Sequence, residues 1–166
     1  MKLVRPSKYF EQSYISYIQE LGDEERYPFT LDLDYSNFSQ LLNKLNDYAV
    51  GVNLPDNTVA NTTFWLVKDS EILGVTNIRH KLSDRLKNCG GHIGLSIRPS
   101  LRGKGLGCKL MALSLELLQK NGTRLIHIHC YKSNTSSAKT IISNGGLLDS
   151  EIRVGDEIIQ RFLIER

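Results

Sequence analysis

The run Ile93-Gly-Leu-Ser-Ile-Arg-Pro-Ser-Leu-Arg-Gly-Lys-Gly-Leu-Gly-Cys108 decides how the chain is read. Ile93, Leu95 and Ile97 alternate with smaller or polar residues, the period-two pattern of a strand. Pro99 stops that strand, because it brings no N–H and biases Arg98 toward an extended conformation. Past the glycines, Leu106, Leu110, Leu113 and Leu117 recur at the spacing of one helix face. Asn121-Gly122 closes the helix. The stretch therefore predicts strand, glycine-rich turn and helix.

A helix start leaves its first N–H groups unpaired and carries partial positive charge. Gly103, Gly105 and Gly107 remove the side chains that would keep a phosphate away from those N–H groups. Arg98, Arg102, Lys104 and Lys109 cluster around the same junction, and Arg85–Leu115 holds six Lys or Arg and no Asp or Glu. This is the charge pattern of a di- or polyphosphate site. Two nucleotide-site motifs are excluded. There is no Gly-x-x-x-x-Gly-Lys-Ser/Thr. The spacing at Gly103 is Gly-x-Gly-x-Gly rather than Gly-x-Gly-x-x-Gly, and His127 stands where an acidic ribose ligand would be expected.

Composition narrows the class. A chain of 166 residues, 40% hydrophobic and 23% charged, reads as one ordinary globular domain over 1–166. The net charge of +3 is mild and does not argue for nucleic acid or a membrane surface. No apolar run approaches the ~20 residues that span a bilayer, and Met1-Lys-Leu-Val-Arg-Pro6 has no signal-peptide core. Cys89, Cys108 and Cys130 lack metal-site spacing, which fits reduced thiols in a cytoplasmic protein and no metal centre.

From its beginning the chain predicts a short strand at Lys2–Arg5. A helix follows, capped by Ser7, with Phe10, Tyr14, Tyr17, Ile18 and Leu21 inward and Gly22 at its end. Glu20, Asp23, Glu24, Glu25, Asp32 and Asp34 form an acidic stretch, either a solvated loop or a collar for a cationic amine. Ser36 is the expected cap of a second helix carrying Phe38, Leu41, Leu42, Leu45 and Tyr48; Ala49–Ala60 is a loop. Thr62–Val67 and Ile72–Arg79 read as a hairpin with Trp65 in the core, and Lys81–Asn88 as a helical turn or two. Arg124–Cys130 is a strand with His127 and His129 on one face, read as structural or surface histidines. Ser133–Asn144 is a helix, and Leu147–Arg153 with Glu157–Ile164 a closing hairpin. The order implies a mixed, largely antiparallel sheet flanked by helices, an α/β or α+β domain.

Three segments in matching order resemble the GNAT N-acetyltransferases. Arg102-Gly-Lys-Gly-Leu-Gly107 is similar to the family's acetyl-coenzyme A loop, Gln/Arg-x-x-Gly-x-Gly/Ala. Phe64–Val75 resembles its central hairpin. Asn134-x-x-Ser137 through Gly145-Gly146 resembles its later Asn-x-x-Ser/Ala…Gly-Phe segment. The resemblance covers roughly residues 62–150 and implies the GNAT-like acyl-coenzyme A N-acyltransferase fold, with acetyl-coenzyme A as co-substrate. It implies that Arg102, Gly103, Lys104, Gly105, Leu106 and Gly107 hold the pyrophosphate. The pantetheine arm lies along Leu95 and Ile97, and Asn134 and Ser137 also contact the cofactor. A backbone N–H near Ile97 is the expected oxyanion donor.

The implied reaction is acetyl transfer to a primary amine, from a small molecule or a peptide, in a cytoplasmic protein that a homodimer would suit. No nucleic acid or membrane partner is expected. The chain departs from the family pattern where the chemistry needs it. Ile141 occupies the usual place of a tyrosine acid, and Gly146 that of a phenylalanine. The opening strand carries no carboxylate base; His92, at its start, is the candidate base, with an ordinary pKa near ~6.5. The alternative reading is an acyl-coenzyme A-binding sensor or structural module without turnover. An RNA-binding module is a third reading, without an aromatic motif behind it.

Overall fold

A computed structural model describes residues 1–165. Its elements are β1 (Lys2–Val4), α1 (Glu11–Leu21), α2 (Phe38–Val50), β2 (Asn61–Lys68), β3 (Glu71–Arg79) and α3 (Asp84–Asn88). There follow β4 (Ile93–Ile97), α4 (Leu106–Lys120), β5 (Leu125–Tyr131), α5 (Thr135–Ser143), β6 (Leu147–Val154) and β7 (Glu157–Glu165). This is the expected order of strands and helices, with a 3-10 turn at Lys8–Phe10 before α1.

The single sheet expected from the sequence is divided in two. One sheet has the order β1-β2-β3-β4 and the other β5-β7-β6. Every strand pair within them is antiparallel. Between β4 and β5 there is only an isolated bridge, Gly91 to Ile128. There the His92 N–H donates to the His127 carbonyl at 2.7 Å. Gly91 has φ +66°, and a Cβ on it would sit on the His127 carbonyl. A larger residue would push the two sheets apart at this backbone bridge.

Side chains join what the backbone does not. Ile78 and Ile93 of the first sheet share an apolar cluster with Ile126, Ile128, Phe162 and Ile164 of the second. Met111, Leu115 and Leu118 of α4 lie in the same cluster. Full burial of each such side chain is worth roughly 1.5–3 kcal/mol, so α4 is the clamp across the divide. A second core lies under α1 and α2, where Tyr14, Tyr17, Leu41 and Leu45 pack with Trp65 of β2.

Three local expectations change. Ser7 makes no side-chain cap bond. The cap of α2 is Asn37, whose side chain accepts from the Gln40 N–H, whereas Ser36 is held by both carboxylate oxygens of Asp34. An Asx turn takes Ser36, so the cap falls one residue later. On α4 the fully buried residues are Leu110, Met111, Ser114, Leu115 and Leu118, while Leu106, Leu113 and Leu117 are only half-buried. The helix faces a sheet on one side and the divide on the other, so its buried surface is wider than a single stripe and rotated from it.

Among the described residues no helix is long and apolar enough to cross a membrane. Asn37→Ala should cost about 1 kcal/mol of stability, measured by urea denaturation. Ser36→Ala should cost clearly less; equal losses would return the cap to Ser36.

Candidate active site

β4 is the last strand of its sheet, so one side of its backbone, from Ile93 to Ile97, has no strand partner. The cleft between β4 and β5 has a volume of about 740 Å³. Leu95 and Ile97 line it, and so do Ile128, His129 and Tyr131 of β5. The chain then leaves β4 through a 3-10 turn at Pro99–Leu101 and reaches α4 at the mouth of the same cleft.

The start of α4 is bare. Its cap position is Gly105, with φ +75°, and no side chain caps it. Gly103 also has φ +75°, and a Cβ on either glycine would meet nothing within 4 Å. These glycines are therefore not demanded by packing. The left-handed backbone calls for them, and they leave the first N–H groups of α4 open to the cleft.

Most of the expected cofactor residues converge here. Leu95, Ile97, Arg102, Gly103, Gly105, Leu106, Gly107, Asn134 and Ser137 all line the cleft, and Lys104 does not. The Lys104 ammonium donates to the Ser100 carbonyl at 3.1 Å, on the exposed outer side of the loop. Asn134 caps α5 by accepting from the Ser137 N–H at 3.0 Å. The start of α5 thus faces the start of α4 across the cleft. Asn144 ties the two helices by donating to the carbonyls of Cys108 and Thr140.

The cations need correction. The window Arg85–Leu115 is free of acid in sequence but not in space. Arg98 is only 3% exposed, and its guanidinium reaches Glu20, Ser16, Ser13 and the Ile72 carbonyl. It also stacks over Tyr17, 5.4 Å from the ring centre. Arg98 is a buried tie to α1, not a phosphate ligand. Arg102 donates from its two terminal nitrogens to Glu24, at 3.0 and 2.7 Å, and from Nε to the Ile97 carbonyl. Its guanidinium thus stays at the cleft edge already paired. Partial burial raises the Glu20 carboxyl, but the bonds from Arg98 and Ser100 outweigh it and hold the group below its ordinary value. The Arg102 bonds do the same for Glu24. The acidic stretch is therefore split. Glu20 and Glu24 are spent on the loop, while Glu25 lines the cleft and has no ion pair among the described residues.

The histidines also sort differently. His92 does not line the cleft. It is 6% exposed, and its Nδ1 accepts from the His127 N–H. His129 is 7% exposed, lines the cleft and accepts from the Gly90 N–H through Nδ1 at 2.9 Å. Burial, then the neighbouring His127, lowers both rings to about 4. A ring so depressed is a poor base near neutrality, and His92 has a structural position rather than a reacting one. Among the described residues no group of three or more His, Cys, Asp or Glu is arranged to hold a metal.

Ile141, at the position of the family's tyrosine, is fully buried in the core. A Cβ on Gly146 would strike the Ile141 side chain, so the two departures from the family pattern touch each other. Tyr131 does reach the cleft, 41% exposed, and the charge on Glu25 followed by burial raises its phenol above the ordinary value. Sequence reading missed the group formed by Tyr27, Cys89, Gly90 and His129 at the cleft wall. These residues come from separate segments and carry no common motif, so no local signal marked them.

Because the folded pKa of His92 and of His129 lies below the unfolded value, the unfolded chain binds more protons between them. Stability is fully present above about pH 7 and is lost as pH falls toward 4, on the order of 3 kcal/mol for each ring. Urea denaturation at pH 7.5 and pH 5 should show the loss in the native chain, and His92→Gln should reduce it. A flat profile would mean that the rings titrate in the fold as they do in the unfolded chain.

The sequence model of the acetyltransferase (GNAT) family matches residues 15–141. No curated protein matches the chain in sequence. Solved structures match it closely in fold. The ribosomal-protein-S5-alanine acetyltransferase of Vibrio fischeri superposes with a TM-score of 0.72 at 14% identity, over 98% of this chain and 91% of that one. A mutant of the spermidine N-acetyltransferase of Vibrio cholerae gives 0.68 at 13%, over 99% and 95%. The microcin C7 self-immunity acetyltransferase, in complex with acetyl-CoA and AMP, gives 0.70 at 12%, over 99% and 91%. At such identities the likeness speaks for the fold, and the family match speaks for the sequence. The open strand edge leading to a bare helix start lies within the matched span, and on that span the chain belongs to the acetyltransferase (GNAT) family.

Proposed function

We propose that this chain moves an acetyl group from acetyl-coenzyme A directly to a primary amine, using residues 1–166 as one catalytic domain. One observation carries the reading. An edge strand with unpaired backbone, β4, runs straight into an uncapped helix start, and both border one cleft. The pyrophosphate fits the N–H groups at Gly103–Gly107, where the α4 dipole favours negative charge. The amides of the pantetheine arm can pair with the free side of β4 as an added strand, along Leu95 and Ile97. Asn134 and Ser137 face the arm from α5, with the loop-borne Lys104 left outside for more distant phosphate.

The chemistry balances as a single transfer. The amine lone pair forms a bond to the thioester carbon while the carbonyl π pair moves to oxygen. The carbonyl reforms, the C–S bond breaks, and its electron pair leaves on sulfur. The amine nitrogen loses a proton and the thiolate takes one, giving an amide and coenzyme A. An amine with a pKa near ~10 arrives as a cation, and a further proton must pass to solvent before its lone pair can attack. Glu25 is the carboxylate of the acidic stretch left to meet it. Tyr131 beside it is the hydroxyl we assign to the sulfur, in place of the tyrosine that Ile141 replaces. The reading as a binding module without turnover rests on that same Ile141, and only turnover decides between them.

Titration calorimetry with acetyl-coenzyme A, coenzyme A and ATP, beside a thiol-release assay over a panel of amines and peptides, tests the proposal. Micromolar binding of acetyl-coenzyme A but not ATP, with thiol release, is expected. Binding without release on any amine would favour the module. Gly105→Asp should weaken acetyl-coenzyme A by at least about 100-fold, because a carboxylate would face the pyrophosphate. Its melting temperature should change little, since a Cβ there meets open space; unchanged affinity would count against the loop. Glu25→Gln should raise KM several-fold for a cationic acceptor while leaving acetyl-coenzyme A affinity as it was.

A further inference from the structure

His129 has a polar atom that the fold does not use. Its Nδ1 accepts from the Gly90 N–H, so in the neutral ring the proton must sit on Nε2. That Nε2 is buried and has no hydrogen-bond partner among the described residues. Leaving such a donor unpaired is destabilising, since its bond to water is lost and not replaced. Simple packing would favour an apolar residue here. The ring nonetheless lies in the cleft wall, where a ligand would supply the missing acceptor.

Its place along the cleft says which ligand atom that is. The last backbone contact between the sheets is the bridge at Ile128. His129 is the next residue of β5, the first to stand where the sheets have parted. The phosphate end of the cleft is at Gly103–Gly107, beyond the other end of β4. An arm held at the loop and laid back along Ile97 and Leu95 points its acyl end at the closed end of the cleft, toward His129.

We propose that the Nε2–H of His129 donates a hydrogen bond to the thioester carbonyl oxygen and holds the oxyanion that forms there. The inference rests on the acetyl-coenzyme A reading above. Burial and the nearby His127, Arg161 and Arg79 keep the ring neutral, so it enters the reaction as a fixed donor. Its proton stays on Nε2 throughout; the protons lost by the amine go to solvent, and the thiolate takes one from the Tyr131 hydroxyl, which solvent reprotonates. A neutral donor aimed before the charge develops requires no reorganisation when it does. His129 adds a side-chain donor to the backbone N–H expected near Ile97.

The test is the carbonyl stretch of acetyl-coenzyme A labelled with carbon-13 at the acetyl carbonyl, read by difference infrared spectroscopy on the native protein, His129→Phe and His129→Gln. In the native complex the stretch should fall below that of the free thioester. It should return toward the free value in His129→Phe and recover in part in His129→Gln, whose amide can donate. Acetyl-coenzyme A should bind His129→Phe several-fold more weakly, with coenzyme A unchanged. Thiol release on an accepted amine should fall about 100-fold, without loss of the pH profile. An identical stretch in the native and His129→Phe complexes would overturn the role of His129 alone. Failure of the native protein to bind acetyl-coenzyme A would overturn the acetyl-coenzyme A reading and this inference with it. Should His129→Phe not fold, nitrogen-15 spectra of the native imidazoles decide the matter. A proton on Nε2 of His129 supports the proposal, and a proton on Nδ1 overturns it.

Discussion

The backbone ladder stops between β4 and β5 at Gly91 and Ile128, and the whole cleft depends on that interruption. An exposed strand edge is ordinarily a liability, because its N–H and C=O groups remain ready to pair. Here the edge faces inward, into a cleft closed at one end by the bridge and at the other by the start of α4. The cost of parting two sheets is met by apolar side chains. Ile78, Ile93, Ile126 and Phe162 meet under α4, so the halves stay joined beyond the point where the backbone ladder stops. Gly91 fixes where the ladder ends, since only a residue without Cβ fits against the His127 carbonyl.

The same division of labour shows in the charges. Arg98 lies a few residues from the anion-binding turn and is turned wholly the other way, into α1. A buried guanidinium is tolerable only when its donors are met, and Arg98 meets them with a carboxylate, hydroxyls and carbonyls together. In the proposed function, anion recognition is thereby left to backbone N–H groups and the helix dipole. These groups are fixed by the fold, where a lysine or arginine would have to be ordered on binding.

Much of the fold could be read from the sequence because it follows local rules. Period-two alternation marked β4 and β5, glycines and prolines marked the turns, and the stretch Ser133–Asn144 read as the helix that is α5. What could not be read were properties of space. The acid-free window around Arg102 was real along the chain, yet Glu20 arrives from α1 and Glu24 from the turn after it, some eighty positions earlier. The split of the sheet hangs on one carbonyl contact at Gly91, which leaves no periodic trace. His129 looked like half of a structural pair, because the burial of its Nε2 depends on Gly90 and on the wall around it. The β4–α4 wall of the cleft is built on one continuous stretch and was readable; the wall formed by Tyr27, Cys89, His129 and Tyr131 comes from separate segments, and was not.

The two arginine ties differ in their surroundings, and that difference grades the stiffness of the loop. The Arg98 side chain is 4% exposed, beyond the reach of dissolved ions, while Arg102 and Glu24 are 45% and 48% exposed. Mobile counterions screen only the outer pair. Rising ionic strength therefore loosens the turn at its glycine end while the root at Pro99 stays anchored.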